Sequence, residues 1–230
     1  MKFQKIDPTP HGMPLERSLF VKLSITGLHC GSGENLKEGF LNTDSMALVD
    51  ERGHATSPDG LFFIDDQFLY LQHDATKPFP IEGGAFRGIY AEHFIEHIPQ
   101  NLAVAWFREM RRLLLPGGLV RVSTPDLEKY ARGYSDEEGV FFKEHVRRLR
   151  QMGIQNVPER RAWMVNQIFR LWGHQHIYDF EEVKFTAELA GFPAEKARKC
   201  EYRSGAAREL AELDREIRSD ESLYVELPFE

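Results

Sequence analysis

A chain of 230 residues is long enough to bury the core of one α/β domain and short for two. Its formal net charge of -7 lacks the overall basic footprint of nucleic-acid binding, and two cysteines, Cys30 and Cys200, are too few for a disulfide framework or a four-cysteine zinc site. No stretch approaches the ~20 apolar residues of a membrane span, and the first 18 residues lack the apolar core of a secretion signal, so a cytoplasmic protein working without nucleic acid or membrane is expected.

Residues 1–18 contain three prolines and little periodicity, which reads as an arm ahead of a domain over 19–230. Residues 20–28 alternate between apolar and polar and run into Cys30-Gly31-Ser32-Gly33, a first strand entering a glycine turn. Residues 39–44 form the second strand. The gap is too short for a crossover helix of about ten residues or more, so the first helix is a single turn or absent. Residues 45–67, with acidic Asp50, Glu51, Asp59, Asp65 and Asp66 and turn signals at Gly53 and Pro58-Asp59-Gly60, read as an inserted loop or hairpin, 47–50 against 61–64. Residues 68–72 are the third strand and deliver His73 and Asp74 to its carboxyl end.

The clearest pattern lies at 86–126. Phe86, Ile89, Tyr90 and Ala91 form the apolar run of a strand covered on both faces. Leu102, Trp106, Phe107, Met110, Leu113 and Leu114 then recur at helical spacing, and Pro116-Gly117-Gly118 stops that helix before a strand at 119–123. This is one βαβ unit. Helices follow at 136–152, 158–172 and 179–190, the last opened by Asp179 and Glu182 at capping-box spacing. Closing strands at 199–203 and 222–227 flank a charged helix at 205–217. The whole reads as α/β, a Rossmann-like doubly wound sheet.

In such a sheet ligands bind beyond the strand carboxyl ends, at the switch in strand order. That rule gathers Cys30–Glu34, Asp44, Asp74, Glu92 and His93 into one crevice. Gly31 and Gly33 let the backbone approach a ligand closely, and Asp44 has the place of a carboxylate that accepts ribose hydroxyls. His93 stands just past the fourth strand, where an imidazole serves as general base or holds cofactor or loop by a hydrogen bond. His93, Glu96 and His97 also spell H-x-x-E-H, the signature of inverted zinc peptidases, but Pro99 interrupts the helix such a site needs. Glu96 and His97 are therefore expected to cap the next helix or to pair with its neighbours, and no metal is expected. Trp172, His174, His176 and Tyr178 suggest an aromatic wall or a second polar group over an acceptor, or simply a structured loop. Arg147, Arg148, Arg150, Arg160 and Arg161 concentrate positive charge that faces an anionic acceptor or, more commonly, solvent.

These residues also carry a resemblance. FRGIYAEHFIEHI followed by REMRRLLLPGGLVRVSTPD resembles the strand 4, helix D and strand 5 region of class I S-adenosylmethionine (SAM) dependent methyltransferases. GLHCGSGENLKEGFLNTD is similar to their glycine-rich first motif, LQHDATKPFP to the acidic stretch before strand 4, and WGHQHIYDFEEVKFTAELAGF to a later helix of small bacterial members. The resemblance covers residues 20–130 and implies a seven-stranded mixed sheet with flanking helices and the last strand antiparallel. It implies SAM as cofactor, bordered by Cys30, Gly31 and Gly33, with its ribose on Asp44, its adenine by Asp74 and Ala75, Glu92 reaching toward it and His93 beside the methyl group. The activity implied is O-methylation of a small molecule or sugar, with the helical region 134–178 on the acceptor side and the oligomeric state open. Asn35 stands where a third glycine is usual, and Asp44 follows Gly33 by eleven residues rather than about 20. A SAM-binding or fold-only protein without transferase activity is the alternative, and a zinc hydrolase the third.

Overall fold

The computed structural model describes residues 1–6 and 13–230; residues 7–12 of the expected arm lie outside the described residues. The flanking parts of that arm are ordered: Phe3–Ile6 is strand β1 and Arg17–Lys22 is helix α1. The strand expected at 20–28 is thereby corrected to Gly27–Cys30 (β2). Six residues hardly distinguish a period of two from one of 3.6, and burial settles it. Phe20 is fully buried on α1 with its ring 5.1 Å from that of Phe86.

Phe40–Asp44 (β3) follows through turns with no helix between, as the short spacing requires. Leu61–Ile64 (β4) and Phe68–Gln72 (β5) come next. The hairpin expected between 47–50 and 61–64 does not form. Asp65 and Asp66 both adopt positive φ and turn β4 directly onto β5, while Val49 bridges only to Ala55. Phe86–Glu92 (β6) leads through a single 3₁₀ turn, Ile95–His97, into Gln100–Leu113 (α2), and Leu114–Pro125 (β7) begins at once. Pro116-Gly117-Gly118 is thus a bulge inside β7 rather than a helix stop: Phe86 faces Leu114 but Gly88 faces Leu119.

Leu127–Ser135 (α3), capped by Asp126, is a helix absent from the sequence reading; Val140–Gln151 (α4), Arg161–Arg170 (α5) and Phe180–Leu189 (α6) match expected segments. Asp179 caps α6 by accepting from the Glu182 amide. Arg198–Cys200 (β8), Arg208–Ala211 (α7) and Ser222–Pro228 (β9) complete the chain, the charged helix expected at 205–217 shrinking to α7 and a 3₁₀ turn at Glu216–Arg218.

All strands join one sheet in the order β1-β4-β5-β3-β2-β6-β7-β9-β8. From β5 to β7 the neighbours are parallel, and β9 is antiparallel to β7. The sheet has nine strands where seven were expected, because the hairpin of β4 on β5 recruits β1 as a further antiparallel edge strand. The main core lies between the sheet and α1, α2 and α6, where Phe20, Trp106, Phe107, Met110 and Val183 meet Leu28, Ile89, Val120 and Val225. A second core, Tyr130, Phe142, Val146, Leu149, Met164 and Ile168, joins α3, α4 and α5. Among the described residues no helix is long and apolar enough to cross a membrane.

Candidate functional site

The chain leaves β2 for β3 on one side and reaches β6 on the other, so the strand order switches between β2 and β6. At the carboxyl ends of these strands lies a cavity of about 420 Å³ lined by Gly31, Asp44, Ser45, Asp74, Ala75, Thr76, His93, Phe94, His97 and Ile98. Its place and size suit a small-molecule ligand.

Two carboxylates face it. Asp44 ends β3 and accepts from the amides of Gly33 (2.9 Å) and Met46 (2.9 Å), one on each oxygen, which fixes the group and leaves further lone pairs for a ligand. Gly33 therefore acts through Asp44 rather than by lining the cavity. Asp74 accepts from the hydroxyl (2.7 Å) and amide (3.1 Å) of Thr76, and these bonds hold its carboxyl below the usual range. Gly31 has φ +66°, and a Cβ there would meet the Phe94 ring at 3.0 Å. Its smallness serves the packing of the turn on Phe94 at the cavity wall.

Two expected residues point elsewhere. Cys30 is fully buried against Met110, and burial pushes its thiol well up, so only its backbone reaches the strand end. Glu92 lies on the opposite face of the sheet, where it accepts from the amide of Arg215 (3.0 Å) and pairs with its guanidinium. Side chains alternate along a strand, so neighbours such as Ala91 and Glu92 cannot share a face.

His93, at φ +50°, has a nearly buried side chain. Ser222 Oγ donates to the Arg218 carbonyl and so accepts from His93 Nε2 at 2.7 Å, while Nδ1 lies 3.2 Å from Glu96 Oε1. Nε2 thus donates to Ser222, and Nδ1 is turned toward Glu96. Glu96 does not cap α2: its other oxygen accepts from Thr124 Oγ1 (3.0 Å), and its backbone carbonyl accepts from the amides of Gln175 and His176. Sequence reasoning missed Phe94, His97 and Ile98 as cavity walls, although His97 stood within the H-x-x-E-H signal. Trp172 donates to Gln167 Oε1 (2.7 Å), His176 pairs with Glu182 (3.1 Å) and Tyr178 is fully buried, so none of these lines the cavity. Arg147 is held by Glu144, Arg150 by Glu159, and Arg161 donates to backbone carbonyls, the solvent-face reading, while Arg148 turns inward from Glu144 to Ser219 and Asp220.

A parallel sheet switching at its centre and closed by an antiparallel last strand decides the fold. It is a Rossmann-like doubly wound fold, with the antiparallel last strand that the resemblance to class I SAM-dependent methyltransferases implied. No protein-family model and no curated protein matches the chain. Among solved structures, an S-adenosylmethionine dependent methyltransferase from Mesorhizobium loti is 16% identical, with 89% of this chain and 91% of that one covered and a TM-score of 0.44. A putative methyltransferase from Haloferax volcanii, in complex with the Trm112 methyltransferase activator, is 11% identical over 94% of this chain and 84% of its own (TM-score 0.49). A structure described as PigF with SAH is 12% identical over 70% of this chain (TM-score 0.39), and the match spans about a third (35%) of the PigF chain. At these scores the neighbours carry no argument about activity, and the fold assignment rests on the strand order.

Proposed function

We propose that the crevice binds SAM and that the protein transfers its methyl group to a polar small molecule or carbohydrate, most simply at a hydroxyl. The observation that carries this is the chemistry at the switch point. Asp44 and Asp74 face the cavity, and the turn from β2 to β3 contains no helix. A pyrophosphate-bearing dinucleotide needs a helix N-terminus for its phosphates, which this turn lacks. SAM carries no phosphate and a sulfonium charge, and its ribose presents two hydroxyls to an acid such as Asp44.

Bound there, SAM supplies an already activated methyl group. The protein's own contribution is orientation. Asp44 and Asp74 hold the nucleoside, Phe94 and Ile98 exclude water, and His93, locked between Ser222 and Glu96, fixes the wall at the end of β6. Methyl transfer is an in-line displacement, so such positioning provides much of the acceleration.

Calorimetry on the full chain tests the reading. SAM and S-adenosylhomocysteine should bind, NAD should not, and Asp44→Ala should weaken SAM by about 1–3 kcal/mol, as expected when ligand hydroxyls lose a charged acceptor. Binding of NAD in place of SAM, or no heat with either methyl-cycle ligand, overturns it. Transfer of labelled methyl to a panel of phenols and sugars then separates an enzyme from a protein that only binds SAM.

A further inference from the structure

Glu96, His97 and His174 offer one metal-ligating atom each, all within 4.8 Å of one another. We propose that they form a divalent metal site of two imidazoles and one carboxylate, suited to zinc. This goes beyond the proposed SAM site and does not depend on it.

The carboxylate is the first argument. Glu96 is fully buried, and while Oε2 accepts from Thr124, Oε1 has no hydrogen-bond partner. The His93 Nδ1 lies 3.2 Å from Oε1 but off the line a hydrogen bond requires. A buried carboxylate oxygen without a donor is costly unless a cation satisfies it.

The imidazoles are the second. His174 Nδ1 donates to the Ile168 carbonyl at 2.6 Å, which leaves Nε2 as the lone-pair nitrogen. A metal-ligating histidine is ordinarily fixed through its other nitrogen in this way. His97 stacks edge-on against it, ring centroids 4.8 Å apart, and among the described residues neither of its ring nitrogens has a hydrogen-bond partner. The two elements are tied together besides: the Gln175 and His176 amides donate to the Glu96 carbonyl, and Gln175 Nε2 donates to the His97 carbonyl at 2.8 Å. Arg218, the cation nearby, is neutralised by Glu221 at 3.1 Å.

Tetrahedral zinc with bonds of about 2.0–2.1 Å places its ligand atoms about 3.4 Å apart, so the group closes by side-chain rotation, most readily of His97. Three protein ligands leave a fourth position open, and because His97 also lines the SAM cavity the ion would stand at its rim.

The test is titration of chelator-stripped full-length protein with zinc chloride in the absence of SAM, followed by calorimetry and, with cobalt as the probe, by visible absorption. One equivalent should bind, with millimolar magnesium failing to compete, since imidazole is a poor ligand for it. His174→Ala and His97→Ala should each weaken zinc about tenfold or more, while His176→Ala, whose ring pairs with Glu182, should stay within about threefold of wild type, below the loss a ligand shows. Glu96 is buried and its variants are liable to misfold, so the partly exposed His174 decides, with circular dichroism confirming its fold. Less than half an equivalent bound, or a folded His174→Ala variant that binds zinc as wild type does, overturns the site.

Discussion

At Gly31 a side chain is excluded by the protein itself. Its φ of +66° and the Phe94 ring 3.0 Å from a would-be Cβ mean that a branched residue there strains the backbone and displaces a cavity wall together. Gly31→Val should cost about 2–5 kcal/mol in urea denaturation, the sum of left-handed strain and overpacking. Stability equal to wild type, with SAM binding lost, would restore a direct ligand contact. His93 is legible in sequence as the first imidazole after a strand, yet its role is set by Ser222, 129 residues away. His93→Ala should lower stability and SAM affinity together and leave the pH profile of methyl transfer unchanged. A loss of about 10²–10⁴-fold in turnover at constant SAM affinity would instead identify a general base. The places of Asp44, Asp74 and Ala75 at the cavity were readable because strand ends converge at the switch point. Cys30 and Glu92 were misread because strand position says where the backbone ends, not which face a side chain takes.

At the scale of elements, β7 carries the clearest conflict between local pattern and environment. Arg121 stands between Val120 and Val122 in the strand and is fully buried. Asp214 binds it through both oxygens (3.0 and 2.6 Å), Glu226 of β9 binds it at 3.0 Å, and its ring partner Tyr224 lies under the guanidinium. The carboxylates also accept from the amides of Arg203 (3.0 Å) and Ala206 (2.7 Å), so one cation organises the loop that covers this face of the sheet where a long helix is absent. Arg121→Met should cost about 3–5 kcal/mol in chemical denaturation, because two carboxylates remain buried without their cation. A loss below about 1 kcal/mol, the range of an exposed pair, would show that the loop holds without it.

For the whole molecule, acid stability reports how the two faces of the sheet are filled. His29, in the central strand and bonded to Asn42, has its pKa lowered to about 4 by burial. Folded protein thus binds that proton less readily than unfolded chain, so the stability present above pH ~6.5 is lost as the pH falls toward 4, by about 3 kcal/mol. His97, lowered by burial, adds in the same direction. Glu221 follows at lower pH: burial opposes its ionisation, but His93, His145 and Arg218 outweigh that and bring its pKa to about 2, so its contribution is lost from pH ~4.5 downward. Stability curves at several pH values should show the first decline flattened in His29→Gln; an unchanged slope between pH 6.5 and 4 would remove His29 as its source.

Sequence by itself determined the βαβ unit at 86–126, the missing first helix and the places of Asp44 and Asp74 at strand ends, because helical period, strand runs and chain length between them are local quantities. Tertiary structure decided the rest. Whether 17–22 coils or extends depended on a pocket beside Phe86, the partner of β4 on a two-aspartate turn, and the facing of Glu92 on which element covers that side of the sheet. The grouping of Glu96 and His97 with His174 lies furthest from sequence: these residues are 77 or more positions apart, and only the hydrogen bonds that pin the loop after α5 to the turn before α2 bring them together. Contacts of that span depend on burial summed over the whole chain, which no local pattern encodes.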